Sequence, residues 1–242
     1  MANIIKFGGG GSGSVGSSSI TAPIIGKDFT WTGSDNSYLV LNDGDNNWRI
    51  KFLTSGTFTP LKDMTIDAFL VGGGAGGGNG ILANAAPGGG SGYTTTVNSV
   101  QLTANTEYSI VVGAGGTATN NGGKSTAFEA TASGGRVGSG SASSAKGGNG
   151  GSGGGVGTGE GGIDGANGGG VNGGTGQGTT TREFGESTGD LYATGGGGSD
   201  SSTAEESGAP NTGDGGSGSR TVKAGEGGSG IVVIRKHKGA AA

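Results

Sequence analysis

Between Gly147 and Gly174 every third residue is glycine, with Val156 and Val171 as the exceptions, inside the run GGNGGSGGGVGTGEGGIDGANGGGVNGGTGQG at Gly147–Gly178. A period of three fits neither the 3.6 of an α-helix nor the 2 of a strand, but it fits the left-handed polyproline-II helix, which has three residues per turn. That helix makes no hydrogen bonds within itself. If it is buried, its N–H and C=O groups must go to neighbouring chains, and only glycine lets backbones come that close. The run is therefore expected to be an interior layer in which glycine is packing material, bounded by strands.

Composition supports an unusual fold. Of 65 glycines, 55 follow Val71, where glycine is close to one residue in three. Such content without sustained Gly-X-Y or much proline ordinarily reads as low complexity or disorder. With only four prolines, and none in Gly147–Gly178, a collagen triple helix is not supported. Strand-like apolar runs at both borders of the glycine region speak against disorder, because a folded bundle needs a sheet to fix its register.

Those border runs follow from residue pattern. Phe29–Trp31, Tyr38–Leu41 and Trp48–Leu53 are β-prone, and Asn42-Asp43-Gly44-Asp45 between the last two predicts a hairpin. Met64–Val71 alternates as a strand and runs directly into GGGAGGGNG at Gly72–Gly80. Further β-like runs are Tyr93–Val97, Ser99–Leu102, Tyr108–Val112 and, weakly, Ser125–Ala132. Ile231–Arg235 is expected to return as a closing strand of the early sheet. The expected fold is mostly β and irregular, with a small β-sheet domain joined to a bundle of polyglycine-II helices and little or no α-helix. The expected division is an attachment peptide and Gly/Ser linker at 1–27, a small β domain at 28–71, the glycine-rich bundle with its bordering strands at 72–236, and a tail at 237–242.

Several function classes lose support. The net charge of −4 is small and thinly spread, so nucleic acid and anionic membranes are not indicated as partners. There is no cysteine and hence no thiolate chemistry. The opening MANIIKFGGGG has an apolar run too short for a signal peptide, and no stretch reaches bilayer-spanning length, so neither classical secretion nor membrane insertion is expected. Ala118–Ser125 matches a relaxed Walker A spacing, but the TAFEATASGG that follows cannot form the helix a phosphate loop needs. Asp43, Asp45 and Asn47 have calcium-loop spacing, yet Trp48 occupies the place of the required glycine. His237, beside Arg235, Lys236 and Lys238, reads as part of a solvated basic tail and not as a general base. No enzyme, metal or cofactor is expected.

The succession DMTIDAFLVGGGAGGG, GGGSGYTTT, TEYSIVVGAGG, GGKSTAFEATASGG, GGNGGSGGG, GQGTTTREFGESTGDLYATGGGG and GGSGIVVIRK, about Phe52 to Lys236, resembles the glycine-rich domain of tail-fibre and tail-tip proteins from phages and prophages of Gram-positive bacteria. It is architecturally similar to the distal adhesins of T-even-type phages, in which glycine runs form a sandwich of polyproline-II-type helices and tip loops contact the host. The resemblance implies a virion protein, made in the host cytoplasm, that binds a bacterial surface receptor, glycan or protein, through loops on a glycine scaffold. It also implies attachment to other tail proteins through the N-terminal segment, with Ile4, Ile5 and Phe7 as the gripping residues. Both a homotrimer, the common state of fibre shafts, and a monomeric tip are compatible with it. The alternative is a purely structural or decorative particle component. A regular, disulfide-braced antifreeze bundle is a poor match to a chain without cysteine or a period-three file of threonines.

Loops displayed by a rigid scaffold are where binding residues concentrate. The polar inserts 136–146 and 199–211 supply Arg136, Ser139, Ser141, Lys146, Asp200, Thr203, Glu205, Glu206 and Asn211 as candidate receptor contacts. An alternative loop, 179–192, carries Arg182, Phe184 and Tyr192, a set suited to stacking on a sugar. Since that segment also carries the family resemblance, the expectation for Phe184 and Tyr192 is that they cover the bundle end.

Overall fold

The structure is a computed structural model that describes residues 22–34, 36–44, 47–79, 86–139, 145–157, 159–170, 173–199, 206–220 and 223–238. Its strands are β1 (Phe29–Trp31), β2 (Tyr38–Gly44), β3 (Asn47–Phe52), β4 (Gly56–Pro60), β5 (Met64–Val71), β6 (Thr94–Leu102), β7 (Tyr108–Ile110), β8 (Ser125–Ala127), β9 (Ala130–Ala132) and β10 (Ile231–Lys236). Among the described residues there is no α-helix, as the composition predicts, and no helix long and apolar enough to cross a membrane.

The main sheet has five antiparallel strands in the order β2-β3-β10-β5-β6. β2 and β3 are the predicted hairpin. β10 returns from the far end of the chain to pair with both β3 and β5, as its β-branched run predicts. Alternation sends Trp48, Ile50 and Phe52 of β3, Ile66, Ala68 and Leu70 of β5, and Val232 and Ile234 of β10 into one core. A three-stranded sheet, β1-β4-β7, closes that core with Phe29, Trp31, Phe58 and Ile110. Fully burying a side chain such as Phe52 or Phe58 is worth about 1.5–3 kcal/mol. The opposite face presents Arg49 and Lys51 of β3, Asp67, Phe69 and Val71 of β5, and Ile231, Val233 and Arg235 of β10. Being covered on both sides, β10 is apolar at four consecutive positions.

The glycine runs that leave this sheet are neither helix nor strand, but their hydrogen bonds are regular. From the end of β5, the N–H groups of Gly72, Ala75 and Gly78 donate to the carbonyls of Tyr93, Gly90 and Pro87. Those of Gly73 and Gly76 go to Gly123 and Asn120, and those of Gly74 and Gly77 to Gly228 and Gly225. Each third residue thus reaches the same neighbour. The run leading into β6 repeats the scheme: Gly88 and Ser91 donate to Gly155 and Ser152, Gly89 and Gly92 to Gly216 and Gly213, Gly90 and Tyr93 to Arg136 and Ser133. Carbonyls of the first run accept in turn from Gly116 and Thr119, from Gly135, and from Gly216 and Ser219, so it is bonded on all sides. A β-carbon at Gly74 would collide with the Asp214 carbonyl, and one at Gly77 with that of Ser217.

Which run is interior differs from the sequence expectation. Residues 72–78 and 86–92 are buried throughout, and 147–155 nearly so, whereas the remaining described residues of Gly147–Gly178 are more open, with Ile163, Asp164, Asn167 and Thr175 exposed. The reason is continuity with the sheet: 72–78 extends β5 and 86–92 leads into β6, so the two runs continue a pair of adjacent strands and bond to each other as those strands do. Gly72–Gly78 also carries no side chain larger than that of Ala75, whereas the longer run bears Asn149, Glu160, Asp164, Asn167 and Gln177, groups that need water.

The close approach sets a stability test. Gly74→Ala is expected to lower unfolding stability by about 1–3 kcal/mol through overpacking. Gly197→Ala, where an added β-carbon meets nothing nearer than 4.0 Å, is expected to stay within about 0.5 kcal/mol of the parent. Thermal or denaturant unfolding of both variants measures the difference; equal stabilities would contradict the packing described.

Candidate functional site

Each buried run has one end at the sheet and one remote from it. Gly72 and Tyr93 mark the sheet end, and Gly78 and Pro87 the remote end, where Gly78 donates to the Pro87 carbonyl. At the remote end Asn79 bridges to Ser219, Ala86 to Ser199, and Ser139 to Lys146. Ser139 and Lys146 exchange backbone hydrogen bonds of 2.8 and 2.7 Å, and Thr119 donates to Gly77. The described residues flanking 80–85, 140–144 and 200–205, together with the turn at 117–120, therefore gather at one end of the runs. Reciprocal bridges pin these flanks to the scaffold.

The sequence-predicted residues divide on this geometry. Ser139 and Lys146 are exposed at the remote end, and Arg136 is exposed three residues along the run from Ser139. Glu206 is exposed, with its amide on Ser217 Oγ and its carbonyl accepting the Ser217 N–H. Asn211 is elsewhere: half-buried near the sheet, its side-chain amide donates to the carbonyls of Leu53 (2.7 Å) and Gly230 (3.1 Å), joining the end of β3 to the start of β10. Ser141, Asp200, Thr203 and Glu205, and the attachment residues Ile4, Ile5 and Phe7, lie outside the described residues.

The alternative loop is built into the outer face of the main sheet. Phe184 and Tyr192 pack on Phe69 with ring centroids 5.9 and 5.6 Å away, and the Arg235 guanidinium lies 4.0 Å from the Phe184 centroid. Arg182 pairs with Asp164 at 3.3 Å. Tyr192 is 7% exposed and so offers no stacking surface. Glu183, 2% exposed, lies under this segment between Arg49 Nη1 at 2.5 Å, Lys51 Nζ at 3.0 Å and the Tyr192 hydroxyl at 3.0 Å. Lys51 also reaches Asp190 at 2.9 Å, and Arg235 reaches Glu186 at 2.7 Å. Breaking a buried pair of this kind costs about 3–5 kcal/mol, so the cluster locks 183–192 onto the sheet. A cavity of about 280 Å³ opens beside it, lined by Trp48, Arg49, Glu183, Phe184, Asp190 and Arg235 among others.

The cluster perturbs its members in a consistent direction. The hydrogen bond from Lys51 holds the Asp190 carboxyl below its ordinary value. Burial alone would raise Glu186 and Asp67, but Arg235 and Lys238 around Glu186, and His237, the Ser99 amide and Arg235 around Asp67, more than offset it and both are lowered. The hydrogen bond to Asp43, then that to Glu183, raises Arg49 against its burial. Burial disfavours the Lys51 cation, yet Tyr192, Glu183 and Asp190 together raise it. Burial, with Glu183 adjacent, pushes the Tyr192 phenol up to about 12.

The chain's end departs from the sequence expectation. His237 is not part of a solvated tail: its ring meets Asp67 at 2.6 Å, and Arg235, 12% exposed at its side chain, meets the same carboxylate at 3.0 Å. Asp67 supplies what the local pattern lacked, a buried carboxylate from a strand 170 residues away. Among the described residues no group of three or more His, Cys, Asp or Glu is arranged to hold a metal ion.

A glycine-rich domain family model matches residues 53–237, more than half of the chain. The chain belongs to the glycine-rich domain family. The match takes in β4 to β10, the buried runs and the 183–192 segment, and leaves β1 to β3 before it. No curated protein matches the chain.

A pH dependence follows from the lowered carboxyls. A carboxyl whose folded value lies below its unfolded value contributes stability that is present above the unfolded value and lost as pH falls through the folded one. Asp67, Glu186 and Asp190 all have this sign, and the raised Lys51 and Tyr192 have the opposite one, losing their contribution as pH climbs past about 10. The melting temperature is expected to be level from about pH 5 to 9 and to fall below about pH 4 and above about pH 10. Scanning calorimetry across pH checks it; a melting temperature that rises below pH 4 would contradict these pairings.

Proposed function

We propose that this glycine-rich domain is a phage tail-fibre or tail-tip protein in which a polyglycine-II bundle presents host-binding segments at the end remote from its sheet. The observation that carries the proposal is the period-three hydrogen bonding of residues 72–78 and 88–93, together with their burial. Three residues per turn with every bond made to a neighbour is the polyproline-II geometry, and glycine at the contacts lets the backbones meet. At about 3.1 Å per residue, six residues from Gly72 to Gly78 carry the chain ~19 Å from the sheet. The bundle is a short, stiff stand.

What it holds out is supported by the convergence of flanks. Segments 80–85, 140–144 and 200–205 are rich in small and polar residues, and the described residues that flank them, Ser139 and Lys146 included, meet at one end of the runs near the 117–120 turn. A bacterial surface glycan or protein is the proposed partner, each contact weak and the sum strong when many copies face one cell. The runs 72–78 and 86–92 are buried throughout and offer no exposed side chains with which to bind. In this proposal the N-terminal segment attaches the protein to other tail components, and the site of action is the virion.

The test uses purified protein on Gram-positive cells susceptible to a phage that carries it. Binding to those cells and reduced phage adsorption are expected. Replacing 80–85, 140–144 and 200–205 by Gly/Ser segments of equal length is expected to lower cell binding at least tenfold with the melting temperature unchanged, since loop replacement leaves the core intact. Binding unaffected by all three replacements would overturn the assignment of the tip, and no binding at high multivalency would favour a purely structural particle component.

A further inference from the structure

A chain of hydrogen bonds crosses the β5–β6 edge of the main sheet through Ser99, His237 and Asp67. Nδ1 of His237 lies 2.6 Å from Asp67 Oδ1, and Nε2 lies 3.0 Å from Ser99 Oγ. Asp67 is 1% exposed; its Oδ2 accepts from Arg235 Nε at 3.0 Å, and its Oδ1 also accepts the backbone N–H of Ser99 at 3.1 Å. These donors keep the carboxylate ionised and therefore acceptor-only, so the His237 proton belongs on Nδ1. In the neutral ring Nε2 is then left to accept from the Ser99 hydroxyl.

The backbone delivers the serine to this position. The β5–β6 register shifts between Ile66 and Ala68, and at that bulge Ser99 adopts φ 58°. Left-handed backbone is disfavoured for serine, and bulges of this kind re-aim a side chain. Ser99 is exposed and the His237 side chain is 27% exposed, so reagents reach both, while Asp67 behind them is dry.

We propose that Ser99 is a nucleophile, with His237 as its general base and Asp67 as the group that orients the imidazole, giving the sheet edge an acyl-transfer activity toward small carboxylic esters. Both separations fall within the hydrogen-bond reach such a set requires. Ser99 Oγ adds to the ester carbonyl carbon while His237 Nε2 takes the hydroxyl proton. The tetrahedral intermediate expels the alkoxide, which receives that proton from His237 and leaves as the alcohol. Water then adds to the acyl-Ser99 carbonyl carbon as His237 Nε2 takes its proton, and the tetrahedral intermediate breaks its bond to Ser99 Oγ, which receives that proton from His237 as the acid leaves. Ser99 is exposed at the sheet edge, so the nucleophile stands on open surface and suits a short acyl group such as acetyl. General-base assistance contributes about 10²–10⁴-fold, so slow acylation is the expected signature. The activity is independent of the adhesin proposal and is read without cells.

The test is labelling of the full chain with a fluorophosphonate probe at neutral pH, with the adduct mapped by peptide mass spectrometry, and release of nitrophenol from p-nitrophenyl acetate. An adduct on Ser99 of the native protein is expected, lost in Ser99→Ala and slowed about 100-fold or more in His237→Gln. Melting temperatures verify that each variant is folded. No adduct on Ser99, labelling only after denaturation, or labelling of a folded His237→Gln variant as fast as the parent's would overturn the proposal and leave the bond chain as a clasp on the sheet edge.

Discussion

The structure depends on one interaction: the hydrogen bond between backbones brought together where no side chain intervenes. Gly74 gives its N–H to Gly228 and lies so close to Asp214 that a β-carbon would collide with that carbonyl. The same arrangement repeats along 72–78 and 86–92. Each such bond is worth only about 0.5–1.5 kcal/mol net, and each glycine in a regular element costs roughly 0.5–1 kcal/mol of backbone entropy relative to alanine. The runs therefore approach balance at best, and the fold needs a second source of stability.

That source is the sheet. β5 enters the first buried run and β6 leaves the second, while β10 closes the chain between β3 and β5. Phe29, Phe52, Phe58, Ile66, Leu70 and Ile234 are fully buried between the two sheets, and Phe69, Val233 and Tyr192 cover the other face. Strand pairing fixes the register at which the glycine runs begin and end. The charged cluster of Arg49, Lys51, Glu183 and Asp190 then fastens the segment that bridges the late glycine runs to the sheet's outer face. Thus the part with side chains sets the positions, and the part without them transmits those positions to the remote end.

What the sequence revealed follows from which signals are local. The alternation of Met64–Val71, the Asp-Gly hairpin and the β-branched run at Ile231–Arg235 are each signals within a few residues, and they fall on β5, on β2 with β3, and on β10. The three-residue glycine period was legible too, and it matches the bonding of 72–78, although the run with the longest period was not the most buried one. β4, Gly56–Pro60, was missed because Phe58 is its one large apolar residue and a glycine and a proline bound it. The links from Arg49 to Glu183, from Asn211 to Leu53 and from His237 to Asp67 join residues 134, 158 and 170 positions apart, and no local spacing encodes them. The alternating cations Arg49 and Lys51 on the outer face of β3 were the one available hint that an acidic segment would cover them.

The central claim is that residues 72–78 and 86–92 are an ordered, mutually bonded interior. Native-state amide hydrogen exchange read at those positions tests it most directly. The account predicts that the amides of Gly73 to Gly77 and Gly88 to Gly92 exchange through global unfolding, as slowly as those of β5 and β10. Exchange of these glycine amides at rates close to those of an unstructured chain, with the sheet still protected, would contradict it.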